Sequence, residues 1–296
     1  MTKSIPLSVM AAEPSPAPDL SFLADHRRTW VMGVLNATPD SFYADSRRRT
    51  PDSSLALAGD MVAADVDLVD LGGESTRPGA DAVSAAQELE RILPILDVLR
   101  QRWPHLPISI DTQKSDVARQ AIAHGAAIIN DISALRRDPD MAAVVAEAKC
   151  PVVLMHMQGS PKTMQQEPRY NNVVDEVKRF FDERLAFAAT HHIAENQIIL
   201  DPGIGFGKTS EHNLKLLKSL KEFQSFGRPI LIGVSRKSFI GRLGSAEGML
   251  PPEERLEGSL AAALWAVQEG ACGLRVHDVR ATRRALAIWD GIRKSS

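Results

Sequence analysis

From Thr29 onward, short and nearly continuous apolar runs alternate with longer segments whose apolar residues recur at helical spacing, and the alternation repeats eight times. The apolar runs fall at residues 30–36, 66–72, 107–111, 127–131, 152–157, 198–201, 230–235 and 273–278. A run that is apolar on successive residues is buried on both faces, the condition of a parallel strand covered by helices. Helical spacing marks residues 84–102, 116–124, 173–191, 211–223 and 255–269 between them. Eight such units in a chain of 296 residues predict an α/β fold, a (β/α)8 TIM barrel, whose usual length is about 250 residues. An open doubly wound sheet would need a switch in strand order that the pattern does not mark. With no linker in sight, residues 29–296 are expected as one domain. Residues 1–28, with Pro6, Pro14, Pro16 and Pro18, are expected as a mobile tail whose apolar patch is too interrupted for a secretory signal.

Composition narrows the function classes. At 44% hydrophobic and 24% charged residues, with a formal net charge of -2, the chain reads as a soluble globular protein. It lacks the basic excess of a nucleic-acid binder, so any anionic ligand must be met by local charges. Cys150 and Cys272 each precede a strand, which suggests small buried residues rather than a disulfide or metal framework and hence a cytoplasmic location. No apolar run approaches the roughly 18 residues of a membrane-spanning helix, so no membrane partner is expected.

Residues 198–209, IILDPGIGFGKT, show how a strand of this chain ends. The apolar run stops at Asp201, and Pro202 with Gly203, Gly205 and Gly207 follow before Lys208. Alternating glycines remove side chains, so a flat ligand can approach the main chain with Asp201 at its edge. The GKT triplet resembles a phosphate-binding P-loop, but the glycine that pattern requires is Pro202 here.

A TIM barrel places its active site where strands end and the following loops begin. Polar residues stand at nearly every such point: Asn36, Gly73 to Arg77, Asp111, Asn130 with Asp131, His156, Asp201, Ser235 to Ser238, and Arg275 to Asp278. One polar strand end is ordinarily a cap or loop anchor; a full ring of them is not. The set lacks a nucleophile elbow and any zinc spacing. Asp111, Asn130 and Asp201 instead suit the edge of a planar, nitrogen-rich ring, where a carboxylate accepts from adjacent N–H groups. Lys237 could donate to a ring oxygen, and Arg275 with His277 follow the last strand, where barrels often hold phosphate.

At these residues the chain resembles the dihydropteroate synthase family. The segments that carry the resemblance are MGVLNATPDSF (residues 32–42), DLGGESTRPGA (70–80), SIDTQKSDV (109–117), IINDI (128–132), LMHMQGSPKTM (154–164), LDPGIGFGK (200–208), GVSRKSFIG (233–241) and RVHDV (275–279), in order over almost the whole barrel. The resemblance implies condensation of 6-hydroxymethyl-7,8-dihydropterin diphosphate with p-aminobenzoate to give 7,8-dihydropteroate and diphosphate. It also implies that Asp111, Asn130, Asp201 and Lys237 hold the pterin, that Asn36 binds magnesium (Mg2+), and that Arg275 and His277 hold the diphosphate. Thr76 and Arg77 would close over the substrate, and Phe206 and Ser238 would bind the aminobenzoate. A homodimer and sensitivity to sulfonamides follow from the same resemblance.

The chain departs from the family after Phe42, where Tyr43, Ala44, Asp45 and Ser46 replace the usual Ser-Asp-Gly-Gly and Arg47, Arg48 and Arg49 follow. The arginine run reads as a solvated face. Asp65 and Asp67 replace a Gly-Ala helix end and are expected to affect only the cap. His156 is expected as a hydrogen-bonded core histidine. Two rivals keep the barrel: methyl transfer from a folate to a corrinoid protein, which has no need of a diphosphate corner, and a silent pterin-binding barrel.

Overall fold

The two-sided apolar runs form strands and pair in parallel, as burial on both faces requires. The computed structural model describes residues 18–25, 28–37, 51–75, 79–246 and 248–295. Its strands are β1 (Trp30–Asn36), β2 (Leu68–Gly72), β3 (Ile108–Asp111), β4 (Ile128–Asp131), β5 (Val152–Met155), β6 (Ile198–Asp201), β7 (Leu231–Ile232) and β8 (Gly273–Val276). They join in the order β6-β5-β4-β3-β2-β1-β8-β7, and a parallel bridge from Leu200 to Ile230 brings β6 against β7. The result is the expected TIM barrel.

The helices that cover it are α1 (Pro51–Val62), α2 (Ala85–Arg102), α3 (Ser115–Ala123), α4 (Met141–Ala148), α5 (Val173–Thr190), α6 (Ser210–Lys218), α7 (Ser238–Leu243), α8 (Leu256–Gln268) and α9 (Val279–Lys294). Ser84 caps α2 in a capping box with Gln87, and Asn172 caps α5 through Val174 and Asp175. Each cap satisfies backbone amides that have no partner inside the helix. The segment expected to continue α6 tightens instead into a 3-10 stretch, Leu220–Phe226, closed by Gly227 in the left-handed region.

Side chains alternate across each strand, so the barrel has two apolar layers. Trp30, Met32, Leu68, Ile128, Val153, Ile199 and Leu231 point to the axis and fill its lower half. Val31, Leu35, Val69, Leu71, Ile110, Ile129, Leu154, Leu200 and Leu274 point outward and join the helices in the larger core. Trp30 lies opposite Gly273 in the β1–β8 register, and a Cβ on Gly273 would overlap its ring. The absent side chain is the space the indole occupies.

Part of the expected tail belongs to the packed structure. Ser21–Ala24 form a 3-10 turn, and Leu23, 8% exposed, joins the cluster beneath the barrel with Leu20 and Phe22. Burying those apolar groups under Trp30 outweighs leaving them in water. Residues 1–17 and the altered stretch from Tyr43 to Arg49 lie outside the described residues.

Asp65 takes the left-handed conformation expected of it, at φ 61°. Asp67 does more than the expected capping. It accepts from the Val31 amide at 2.6 Å and from Arg28 and Arg283, tying the entry to β1, the end of the α1–β2 turn and α9 together. No helix among the described residues is long and apolar enough to cross a membrane.

Gly273→Leu should cost about 2 kcal/mol or more, the range of overpacking in a filled core. Trp30→Ala should recover part of that loss in the double variant. Urea denaturation of the two single variants and the double variant checks this, and strict additivity would contradict it.

Candidate active site

Strand alternation also decides which polar residues reach the axis. Asn36, Asp70, Asp111, Asn130, Asp201 and Arg275 share the inward side of their strands with the apolar cluster below them. They sit higher, toward the strand ends. The Arg275 Nε donates to Asp70 at 2.7 Å and one terminal nitrogen to Asp111 at 2.8 Å, while the Asn130 amide donates to the same Asp70 oxygen at 3.0 Å. Four strands are thus joined across the mouth by one network. The other Asp70 oxygen is buried with no hydrogen-bond partner among the described residues.

Electrostatics follow from this crowding. Burial pushes the Asp111 carboxyl up to about 7; the Arg275 charge opposes that rise, and Asp70 adds to it. Burial also raises Asp201, against the pull of Lys237 and a backbone bond from Gly203. Lys237 falls to about 8, chiefly through burial, with Asp201 opposing the fall. Acids and a lysine displaced toward neutrality in one cleft mark a functional site.

Two loops complete the mouth. After β6 the main chain folds so tightly that a Cβ on Gly203, at φ 69°, would overlap the His156 carbonyl oxygen. A Cβ on Gly207, at φ 63°, would lie 2.6 Å from the Gln158 carbonyl oxygen. The loop carries Phe206, whose ring lies 4.6 Å from the Lys237 ammonium. After β7, Arg236 takes φ 57° and is held there by two bonds to Asp278, at 2.7 and 2.6 Å, and by the Ser259 hydroxyl on its amide. Left-handed backbone costs a non-glycine residue roughly 1–2 kcal/mol, and this bracing holds it. The bend turns Lys237 inward, where its ammonium reaches the Ile204 carbonyl.

The structure therefore gathers Asn36, Asp111, Asn130, Asp201, Phe206, Lys237 and Arg275 around one mouth. Ser238 opens α7 beside it. His277 stands at the end of β8 with its ring against the Ser235 hydroxyl at 3.1 Å. Arg275 lies within β8 rather than after it, because its inward side meets two carboxylates. Thr76 and Arg77 lie outside the described residues. Asp131 and His156 have the opposite strand phase and leave the mouth: Asp131 accepts from Ser133 and Leu135, and His156 packs against Phe180 on α5.

Sequence reading missed Asp70 and Lys208. The signal for Asp70 was present, an acid inside an apolar strand two residues before the inward Gly72. Lys208 is only 3% exposed and donates into its own loop, which a lysine beside glycines does not announce.

No group of three or more His, Cys, Asp and Glu side chains able to hold a metal occurs among the described residues. Asn36 ends β1 with its amide oxygen facing the space above Gly72, where the Asp111 side chain also lies. A single neutral oxygen beside a carboxylate suits a hard cation that takes its other ligands from water and phosphate.

Comparison with known proteins agrees with this geometry. A match to the family described as pterin binding enzyme spans residues 32–277. The dihydropteroate synthase of Escherichia coli (strain K12) is 46% identical over 258 residues, covering 87% of this chain and 89% of that protein. The Yersinia pestis dihydropteroate synthase, solved as a sulfonamide drug complex, superposes with a TM-score of 0.86 at 42% identity, covering 92% of this chain and 96% of that one. The Xanthomonas albilineans dihydropteroate synthase with 4-aminobenzoic acid gives 0.84 at 43% identity, covering 92% and 95%.

Asp111 should titrate near 7 in the free protein, so its carboxyl is neutral below that pH and charged above it. Removing the cation in Arg275→Met should move the titration higher still. Carboxyl carbon resonances followed against pH measure both, and a midpoint near 4 would contradict the buried network.

Proposed function

The chain belongs to the pterin-binding enzyme family, within its dihydropteroate synthases, and from that we infer the transfer of a dihydropterinylmethyl group from its diphosphate ester to the amine of p-aminobenzoate. The substrates are 6-hydroxymethyl-7,8-dihydropterin diphosphate and p-aminobenzoate, and the products are 7,8-dihydropteroate and diphosphate. The observation that carries this reading is the inward set of Asp111, Asn130, Asp201 and Lys237. Together they offer acceptors and donors at the barrel mouth, beside the apolar cluster of Ile132, Met155, Met157, Met164 and Phe206.

Each residue has a chemical part to play. Asp201 and Asn130 meet the amino and ring N–H edge of the pterin, where a carboxylate accepts from adjacent donors. Lys237 donates to the ring oxygen and, lying over Phe206, joins the pterin wall to the aminobenzoate seat. Asp111, balanced against Arg275, faces the ring from the opposite side. His277 and Arg275 receive the diphosphate, and by the family resemblance Thr76 and Arg77 would also bind substrate. Ser238 offers a hydroxyl to the aminobenzoate carboxylate. Magnesium at Asn36 would neutralise negative charge on the diphosphate.

The bond from the pterin methylene to the diphosphate oxygen breaks, and a bond from that carbon to the arylamine nitrogen forms. The nitrogen then gives up a proton to solvent. An arylamine is neutral at pH 7 and needs no strong base, so the demanding task is to accept charge on the leaving diphosphate. This favours a loose displacement in which the methylene becomes cationic before nitrogen attacks. Large secondary isotope effects at the methylene are expected; values typical of a tight transition state would contradict it.

Leu214 on α6, Leu243 at the end of α7, Met249 in the loop after it and Trp265 on α8 are exposed apolar residues. We propose them as contacts of a homodimer, which sedimentation at micromolar protein tests by giving twice the mass of one chain. Cys150 and Cys272 are not joined in a disulfide.

Purified protein with both substrates and magnesium should form dihydropteroate, and a sulfonamide should compete with p-aminobenzoate. Lys237→Ala should lower kcat/KM by about 100-fold, the worth of a charged hydrogen bond in a dry site. Full activity in that variant would remove Lys237 from the site.

A further inference from the structure

The loop that carries Phe206 is held by its own protein at almost every backbone group. The Gly203 amide donates to Asp201 at 2.7 Å, the Gly205 amide to Asn213 at 2.7 Å, and the Phe206 amide to the Gly203 carbonyl at 3.1 Å. The Gly205 carbonyl accepts from Gln165 at 2.7 Å and the Gly207 carbonyl from the Tyr170 hydroxyl at 2.8 Å. The carbonyls of Gly203 and Phe206 both accept from the Lys208 side-chain nitrogen, at 2.9 and 3.0 Å.

The same side-chain nitrogen also meets the His156 carbonyl at 3.3 Å and the His156 Nδ1 at 2.9 Å, so one lysine links both ends of the glycine turn to the end of β5. Burial holds its pKa well below the usual lysine value, against the pull of Asp201. With Lys208 as the donor, Nδ1 accepts and the ring proton sits on Nε2. The imidazole is set by the edge of Phe180 at 4.8 Å and by Tyr170 beyond it. Burial together with the Lys208 and Arg136 charges keeps it neutral, as an acceptor must be. A buried lysine without such partners would be expensive.

We propose that Lys208, oriented by the neutral His156, is the positioning residue of the arylamine seat. It fixes the Phe206 ring and, through it, the Lys237 ammonium. The inference rests on the synthase reading above. Of the pterin wall, Asp111 on β3 and Asn130 on β4 are held through Arg275 and Asp70, apart from the loop. Loss of Lys208 should therefore act on the arylamine more than on the pterin. Because the loop carbonyls already have donors, the seat holds its guest through the ring face and the carboxylate rather than through loop hydrogen bonds.

Steady-state kinetics with both substrates test this in Lys208→Met, His156→Phe and His156→Gln. Lys208→Met should raise KM for p-aminobenzoate by about tenfold or more while KM for the pterin diphosphate moves by less than about threefold. His156→Phe, which removes the acceptor, should move KM in the same direction. His156→Gln, whose amide oxygen can still accept from Lys208, should restore most of the loss. An unchanged KM for p-aminobenzoate, or equal rises for both substrates with a lowered Tm, would overturn the proposal and leave the pair purely structural. Should Lys208→Met fail to fold, the contrast between the two His156 variants decides. Absence of turnover in the unmodified protein would sink the synthase reading instead, and the calorimetric affinity for p-aminobenzoate would then replace KM with the same expected tenfold loss.

Discussion

Arg275 sits inside a barrel wall with a carboxylate on either hand, and the mouth depends on that bridge. Asp70 is fully buried and Asp111 nearly so. Two acids that close could not both be tolerated without a cation between them. The bridge links β8 to β2 and β3, and Asn130 extends it to β4. Pairing of β8 beside β1 makes this possible, because the last strand then stands next but one to β2. Closure of the sheet leaves each strand one inward face, apolar below and charged above.

The charged half is held under stress. Asp111 and Lys237 sit near neutrality, and Arg236 is bent into the left-handed region to aim Lys237 inward. Such features weaken a fold and persist where function needs them. Here they set charged and polar groups at the mouth before substrate arrives, which limits the reorganisation that binding needs. The lower half supplies the compensation: Trp30 over Gly273 and Leu23 beneath it form a dry plug that keeps the frame rigid.

Much of this was legible in the chain. Doubly buried strands announce themselves as unbroken apolar runs, so β1 and β6 were bounded to the residue, and the polar strand ends pointed to the mouth. Other features depend on geometry that a single chain does not display. Pro107 cannot donate to the ladder, so β3 starts one residue later than its apolar run. Helix α4 is apolar on nearly every side and shows no helical contrast. Asp131 and Asn130 look equivalent in sequence, yet one strand step sends them to opposite faces. The roles of Asp67 and Lys208 lie in partners dozens of residues away or in the loop's own carbonyls, which neither spacing nor composition encodes.

The central claim is that the inward wall reads the pterin ring itself. It is tested most directly by calorimetric titration of a pterin lacking the diphosphate tail into the unmodified protein and Asp201→Asn. Loss of a charged acceptor should weaken binding by about 10- to 100-fold, the worth of roughly 1.5–3 kcal/mol, with circular dichroism unchanged. Equal affinity in the two proteins would contradict the account and move pterin recognition away from the strand ends.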